Sequence, residues 1–121
     1  MNVREFLKNN ITVLDGGMGT LLQRAGLNPG ELPETWNLTH PEEVERIHRA
    51  YFEAGSNIVC ANTFGANSLK FSDGELDAIV KCAMEIAMTA RERANGENER
   101  FIALDLGPTG KNAGALRRPG L

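Results

Sequence analysis

The chain has 121 residues, enough for one compact domain, with 41% hydrophobic and 24% charged residues and a formal net charge of −3. Its only dense basic pair is Arg117-Arg118, and no run approaches the ~18 apolar residues of a membrane span, so neither a nucleic-acid nor a membrane partner is expected. The N-terminus lacks the features of a secretory signal, and Cys60 and Cys82, 22 residues apart, fit neither a Cys-x-x-Cys metal pair nor a disulfide framework, which makes a reducing cytoplasm the expected setting.

Residues 3–9 predict a short leading helix, and residues 11–15 an apolar, β-branched strand stopped by Gly16-Gly17. Residues 18–25 read as a short helix with Gly26 at its C-terminal cap. Pro29, Gly30 and Pro33 make residues 27–38 a long loop. Thr39 and Glu42 have the spacing of a capping box, Pro41 suits a first helical turn, and Val44, Ile47, Tyr51 and Phe52 trace one buried stripe that ends at Gly55. A second strand follows at residues 57–62. Ser72 and Glu75 form another capping box, ahead of a stripe through Leu76, Ile79, Val80, Ala83, Ile86, Ala87 and Ala90. Asn95-Gly96 closes that helix, and residues 101–106 form a third strand.

Strand starts about 45 residues apart require long crossovers, which suit parallel strands. The strands are apolar on both faces, as in a sheet covered by helices. The fold class is α/β. Periodicity alone leaves two architectures open, a small open sheet or the beginning of a (β/α)8 barrel. In both, ligands bind at the carboxyl ends of the strands, and Asp15, Asn62-Thr63 and Asp105 all fall there.

Asp15, Gly16 and Gly17 are the first candidate binding residues. A strand-end carboxylate can hold an ammonium group, while the glycines and the following helix N-terminus can receive a carboxylate, a pattern complementary to an amino-acid zwitterion. The same segment also reads as a glycine turn whose aspartate merely caps the helix. Asn62 and Thr63 can donate and accept hydrogen bonds to a ligand, with Phe64 as an apolar wall, or can serve only their own strand-end turn.

Two phosphate motifs fail. A G-x-G-x-x-G pattern from Gly17 and Gly19 meets Leu22 at its third glycine, and a P-loop ending at Gly110-Lys111 would need glycine at Asp105 and Ser or Thr at Asn112. His48 sits one residue off its helix stripe and reads as a surface or boundary histidine, and His40 lies in that helix's cap. Trp36 reads as a pocket mouth or a packing anchor, Met84 and Met88 as helix packing, and Cys82 as a buried, inert thiol. Cys60 has no acidic or histidine neighbour in sequence to activate it.

Taken in order, LDGGMGTLLQ (residues 14–23), GELPETWNLTHPEEV (30–44), IHRAYFEAGSNIVCANTFGAN (47–67) and LGPTG (106–110) resemble the N-terminal part of the homocysteine S-methyltransferase family. The likeness is greatest to the homocysteine-binding module of cobalamin-dependent methionine synthases. The resemblance implies a (β/α)8 barrel that binds homocysteine and zinc and transfers a methyl group to the homocysteine sulfur, giving methionine. It maps Asp15 and Gly16 to the amino-acid site, and Asn62 and Thr63 to the same pocket. Zinc matters because the thiolate, not the thiol, is the nucleophile.

The family's zinc ligands are a cysteine on a later strand and a Cys-Cys pair beyond it. Neither Cys60 nor Cys82 matches them, so no catalytic or metal-binding residue is assigned. The methyl donor implied is a methylcorrinoid or another methylated donor, and cobalamin would bind through a separate module. The expectation is that residues 1–121 carry about three βα units of that barrel, a partial homocysteine-binding domain inactive alone, with residues 112–121 unlike the family. The alternative is a small α/β ligand-binding or interaction module without catalysis.

Overall fold

The computed structural model describes residues 1–108; the end of the LGPTG segment and residues 112–121 lie outside them. The elements run α1 (Val3–Asn9), α2 (Gly19–Arg24), a 3-10 turn (Pro33–Thr35), α3 (Trp36–Thr39), α4 (Pro41–Glu53), β1 (Ile58–Cys60), α5 (Asp73–Arg93) and β2 (Phe101–Ala103). The arrangement is mixed α/β, as its alternation of strand and helix predicts.

β1 and β2 pair in parallel, with Ile58 opposite Phe101 and Cys60 opposite Ala103. The segment predicted as a strand at residues 11–15 contributes one parallel bridge, Leu14 with Ile58, on the other side of β1. The N–H of Asp15 donates to Ile58 O at 3.0 Å and that of Asn57 to Val13 O at 2.7 Å. The predicted strands are thus in the right places and order but shorter than their apolar runs. Pairing ends where Asp15, Asn62 and Asp105 turn the chain away.

Asn57 ties the opposite edge. Its Oδ1 accepts from the Val13 N–H at 3.1 Å, and its Nδ2 donates to Glu99 O at 3.0 Å, so one buried amide joins the starts of all three extended segments. Phe6 of α1 is buried and meets the Phe101 ring at 5.5 Å between centroids.

The helices supply most of the core. Leu22, Leu27, Trp36, Val44, Ile47 and Ile86 form one buried cluster, Phe52, Val59, Ala90 and Ala94 a second, and Tyr51 packs against both. Such burial is the main favourable term in folding. α5 follows its predicted stripe, burying Ile79, Ala83, Ile86, Ala87 and Ala90, and Ser72 caps it by accepting from the Glu75 N–H. The predicted stops at Gly26 and Gly55 occur at φ of +119° and +114°, where a side chain would be strained.

Four expectations are corrected. Residues 27–38 are not one loop, because Pro33 starts the 3-10 turn that leads into α3. The Thr39–Glu42 capping box does not form: α3 keeps Thr39 helical, its hydroxyl turns to Thr35 O and His40, and His40 becomes the N-cap of α4. His48 is no boundary residue but 0% exposed, with neither ring nitrogen hydrogen-bonded. Cys82 is half-buried rather than buried, on the wall of a cleft between α4 and α5.

Candidate functional site

The strand ends do converge. Asp15, Asn62 and Asp105 line one cavity of about 290 Å³, together with Gly16, Gly17, Met18, Gly19, Glu34, Cys60 and Phe64. Larger clefts of about 700 and 560 Å³ lie among the helices, one beside α4 and α5 and one between α2 and α4. The smaller cavity is the better candidate because it occupies the carboxyl edge of the parallel strands and collects their polar groups.

Asp15 does not cap α2. Its Oδ2 accepts from the Cys60 N–H at 2.9 Å, continuing the contact between the first segment and β1. Burial raises its pKa, the Cys60 hydrogen bond opposes that rise, and the charge of Asp105 adds to it. Glycine has no side chain, so Gly16, Gly17 and Gly19 line the cavity with backbone alone. The N–H groups of Gly17, Met18 and Gly19 have no hydrogen-bond acceptor among the described residues. Because α2 has only six residues, the donors here are these local N–H groups and not a long helix dipole.

Asn62 and Thr63 are brought to the site but are committed to the frame. Asn62 Nδ2 donates to Pro33 O and to Asn37 Oδ1, both at 3.0 Å, while Asn37 Nδ2 donates back to Asn62 O at 2.9 Å. Asn62 reaches the cavity wall; Thr63 does not. The Thr63 hydroxyl donates to Asp105 O at 2.7 Å and accepts from the Asp105 N–H at 3.0 Å, joining the loops after β1 and β2. Phe64 lies on the wall and remains 56% exposed, as an apolar side of a ligand site would.

Three residues escaped sequence reasoning. Glu34 is 4% exposed and its carboxylate faces the cavity and the Gly65 backbone, leaving no room for a Cβ at Gly65. Burial raises its pKa, opposed by the Gly65 N–H and the Lys70 charge. Asn37, also buried, locks the Asn62 turn. Tyr51 reaches from α4 to the glycine turn, where its hydroxyl donates to Gly17 O at 2.7 Å. Its place on a helical stripe signalled packing and concealed the polar tip. Trp36 proves to be an anchor: its buried ring stacks on His40 at 3.9 Å, and its Nε1 donates to Glu31.

Cys60 gains acidic neighbours that the sequence did not reveal. Burial, followed by the charges of Asp15 and Asp105, pushes its thiol up to about 11. A zinc-binding thiolate needs the opposite environment. No group of three or more His, Cys, Asp or Glu among the described residues could hold a metal ion. The donor set does not fit zinc, and no step through zinc follows from these side chains. No helix among the described residues is long and apolar enough to cross a membrane.

The homocysteine S-methyltransferase family model matches residues 12–118. The chain is 35% identical over 115 residues to a methionine synthase of Mycobacterium leprae and 34% identical over 115 residues to one of Mycobacterium tuberculosis. Each match takes in 86% of this chain and 10% of the relative, so the chain spans about a tenth of their length. The homocysteine methyltransferase MmuM from Escherichia coli, in its oxidized form, superimposes with a TM-score of 0.72 at 24% identity, over 89% of this chain and 41% of that one. Its metallated form gives a TM-score of 0.70 at 23% identity, over 89% of this chain and 42% of that one. At that identity the likeness speaks for the fold, and the family match speaks for descent: the chain belongs to the homocysteine S-methyltransferase family.

Proposed function

We propose that this chain forms the amino-acid-recognition corner of a methyltransferase that moves a methyl group onto the sulfur of homocysteine. The observation that carries the reading is the cavity at the strand ends, where Asp15 faces a glycine turn whose Gly17, Met18 and Gly19 N–H groups lack acceptors among the described residues. A carboxylate and free backbone donors within one small cavity suit a ligand bearing both an ammonium and a carboxylate. Asp15 takes the ammonium group, Gly16 and Gly17 present the backbone to the carboxylate, and Phe64 borders the apolar stem. Asn62 and Thr63 shape the wall by holding the Pro33 and Asp105 backbones in place.

The parallel pairing and the superposition on part of a larger chain support a (β/α)8 barrel of which these residues supply about three βα units. The homocysteine thiol must lose its proton to attack a methyl group. In the complete domain zinc supplies that activation when bound, through donors other than those described here. The methyl donor is a methylcorrinoid or another methylated compound. Cobalamin, where used, belongs to a separate module.

The test is a titration of the 121-residue chain with L-homocysteine, followed through the amide resonances of Gly16, Gly17 and Gly19. Saturable shifts confined to the strand ends are expected, with affinity in the millimolar range for so open a site, on the order of −4 kcal/mol. Equal shifts with a nucleotide or a sugar phosphate, or none with homocysteine, would overturn the reading. Methyl transfer by this chain alone is expected to stay undetectable with or without added zinc.

A further inference from the structure

We infer that Tyr51 is a positioning residue of the amino-acid site, its hydroxyl setting the Gly16-Gly17 turn so that the turn presents its backbone to the cavity. The inference rests on the reading of that cavity as the homocysteine site. Four observations carry it. The phenol donates to Gly17 O at 2.7 Å, across 34 residues of sequence. Gly16 also approaches the same oxygen, and its backbone favours the anionic form, so the hydroxyl meets the chain on either side of the Gly16–Gly17 peptide.

A Cβ at Gly16 would stand 3.0 Å from the phenol oxygen, tighter than ordinary packing, so glycine at this position is what admits the tyrosine. The ring packs against both core clusters, which fixes the hydroxyl on a rigid helix. Tyr51 does not itself line the cavity, whereas Gly16 and Gly17 do. It therefore acts on a ligand through the turn. Burial, with the Asp15 charge beside it, raises the phenol's pKa, which keeps the hydroxyl a donor at neutral pH.

Tyr51→Phe removes the hydroxyl and keeps the ring. Its expected effects are displaced Gly16 and Gly17 amide resonances, unchanged far-ultraviolet circular dichroism, and homocysteine affinity lowered on the order of three- to tenfold, the worth of one hydrogen bond. Ile47→Val, a core change on the same helix, loosens packing and should leave the turn resonances and the affinity alone. A merely structural Tyr51 would make the two variants behave alike.

Unmoved turn resonances in Tyr51→Phe overturn the inference, as does an unchanged affinity in a parent chain that binds homocysteine. If the parent binds none while the variant still moves the turn, the homocysteine reading fails and the setting of the turn stands. Should the variant not fold, the parent chain decides: the Tyr51 hydroxyl proton must be protected from exchange and show a nuclear Overhauser contact to Gly16 or Gly17. A freely exchanging hydroxyl overturns the inference.

Discussion

α4 and α5 bury their apolar stripes against each other, α4 also against β1 and α5 against β2, leaving Val44, Phe52 and Ala83 without solvent contact. Outside the buried Val59 of β1, the extended segments do the reverse: Ile11 is 92% exposed, Leu106 80%, and Val13, Leu14 and Leu104 are also exposed. The extended segments are the more apolar of the two in sequence. The difference lies in where the partners come from. A helix stripe needs one neighbouring helix, which the chain supplies nearby, whereas a strand apolar on both faces needs a cover on each side. Local amphipathic structure is therefore satisfied within these residues, and the non-local sheet surface is not.

The strongest way to break that contrast is Phe52→Ala, which opens a cavity between α4 and β1 and should cost about 3–5 kcal/mol, read from a urea midpoint. Leu106→Ala should change stability by less than about 0.5 kcal/mol. Equal losses would mean that the strand ends are as well packed as the helices.

His48 sharpens the helical side. Burial lowers its pKa from 6.5 to about 4, so the folded chain resists a proton that the unfolded chain accepts. Stability is complete above pH 6.5 and falls as the pH drops towards 4, by roughly 3 kcal/mol in total. His48→Leu should flatten the thermal midpoint over that window, and a parent whose midpoint is level from pH 7 to 4.5 would contradict this. Thr63→Val tests the strand ends: losing both bonds to the Asp105 backbone should cost about 1–3 kcal/mol and mobilise the loop after β2, measured by amide exchange.

The helices were legible because their signals are local. Ser72 caps as its residue type suggests, and the α5 stripe is buried where the periodicity places it. The capping box at Thr39 misled because α3 abuts α4 and claims the same residue. The strand runs told position but not length, since pairing depends on partners more than 40 residues away, as with Cys60 and Asp15. At the site, the meeting of Asp15, Asn62 and Asp105 followed from their common strand-end position. Glu34, Asn37 and Tyr51 did not, because a buried carboxylate in a proline-containing turn and a tyrosine on an apolar stripe carry no local mark of their neighbours.

The Asn57 clasp has a kinetic meaning. Its two side-chain bonds close loops of 44 and 42 residues, while the helices beside it depend on contacts a few residues apart. Loop closure of that length has an entropic cost that local helix formation avoids, so the strand starts are expected to come together after the individual helices have formed. A shortened side chain at position 57 would then act mainly on the rate at which the sheet comes apart and hardly on the rate at which the helices assemble. One amide thus adds to the backbone pairing that keeps the three strand starts, and with them the site at their far ends, in register.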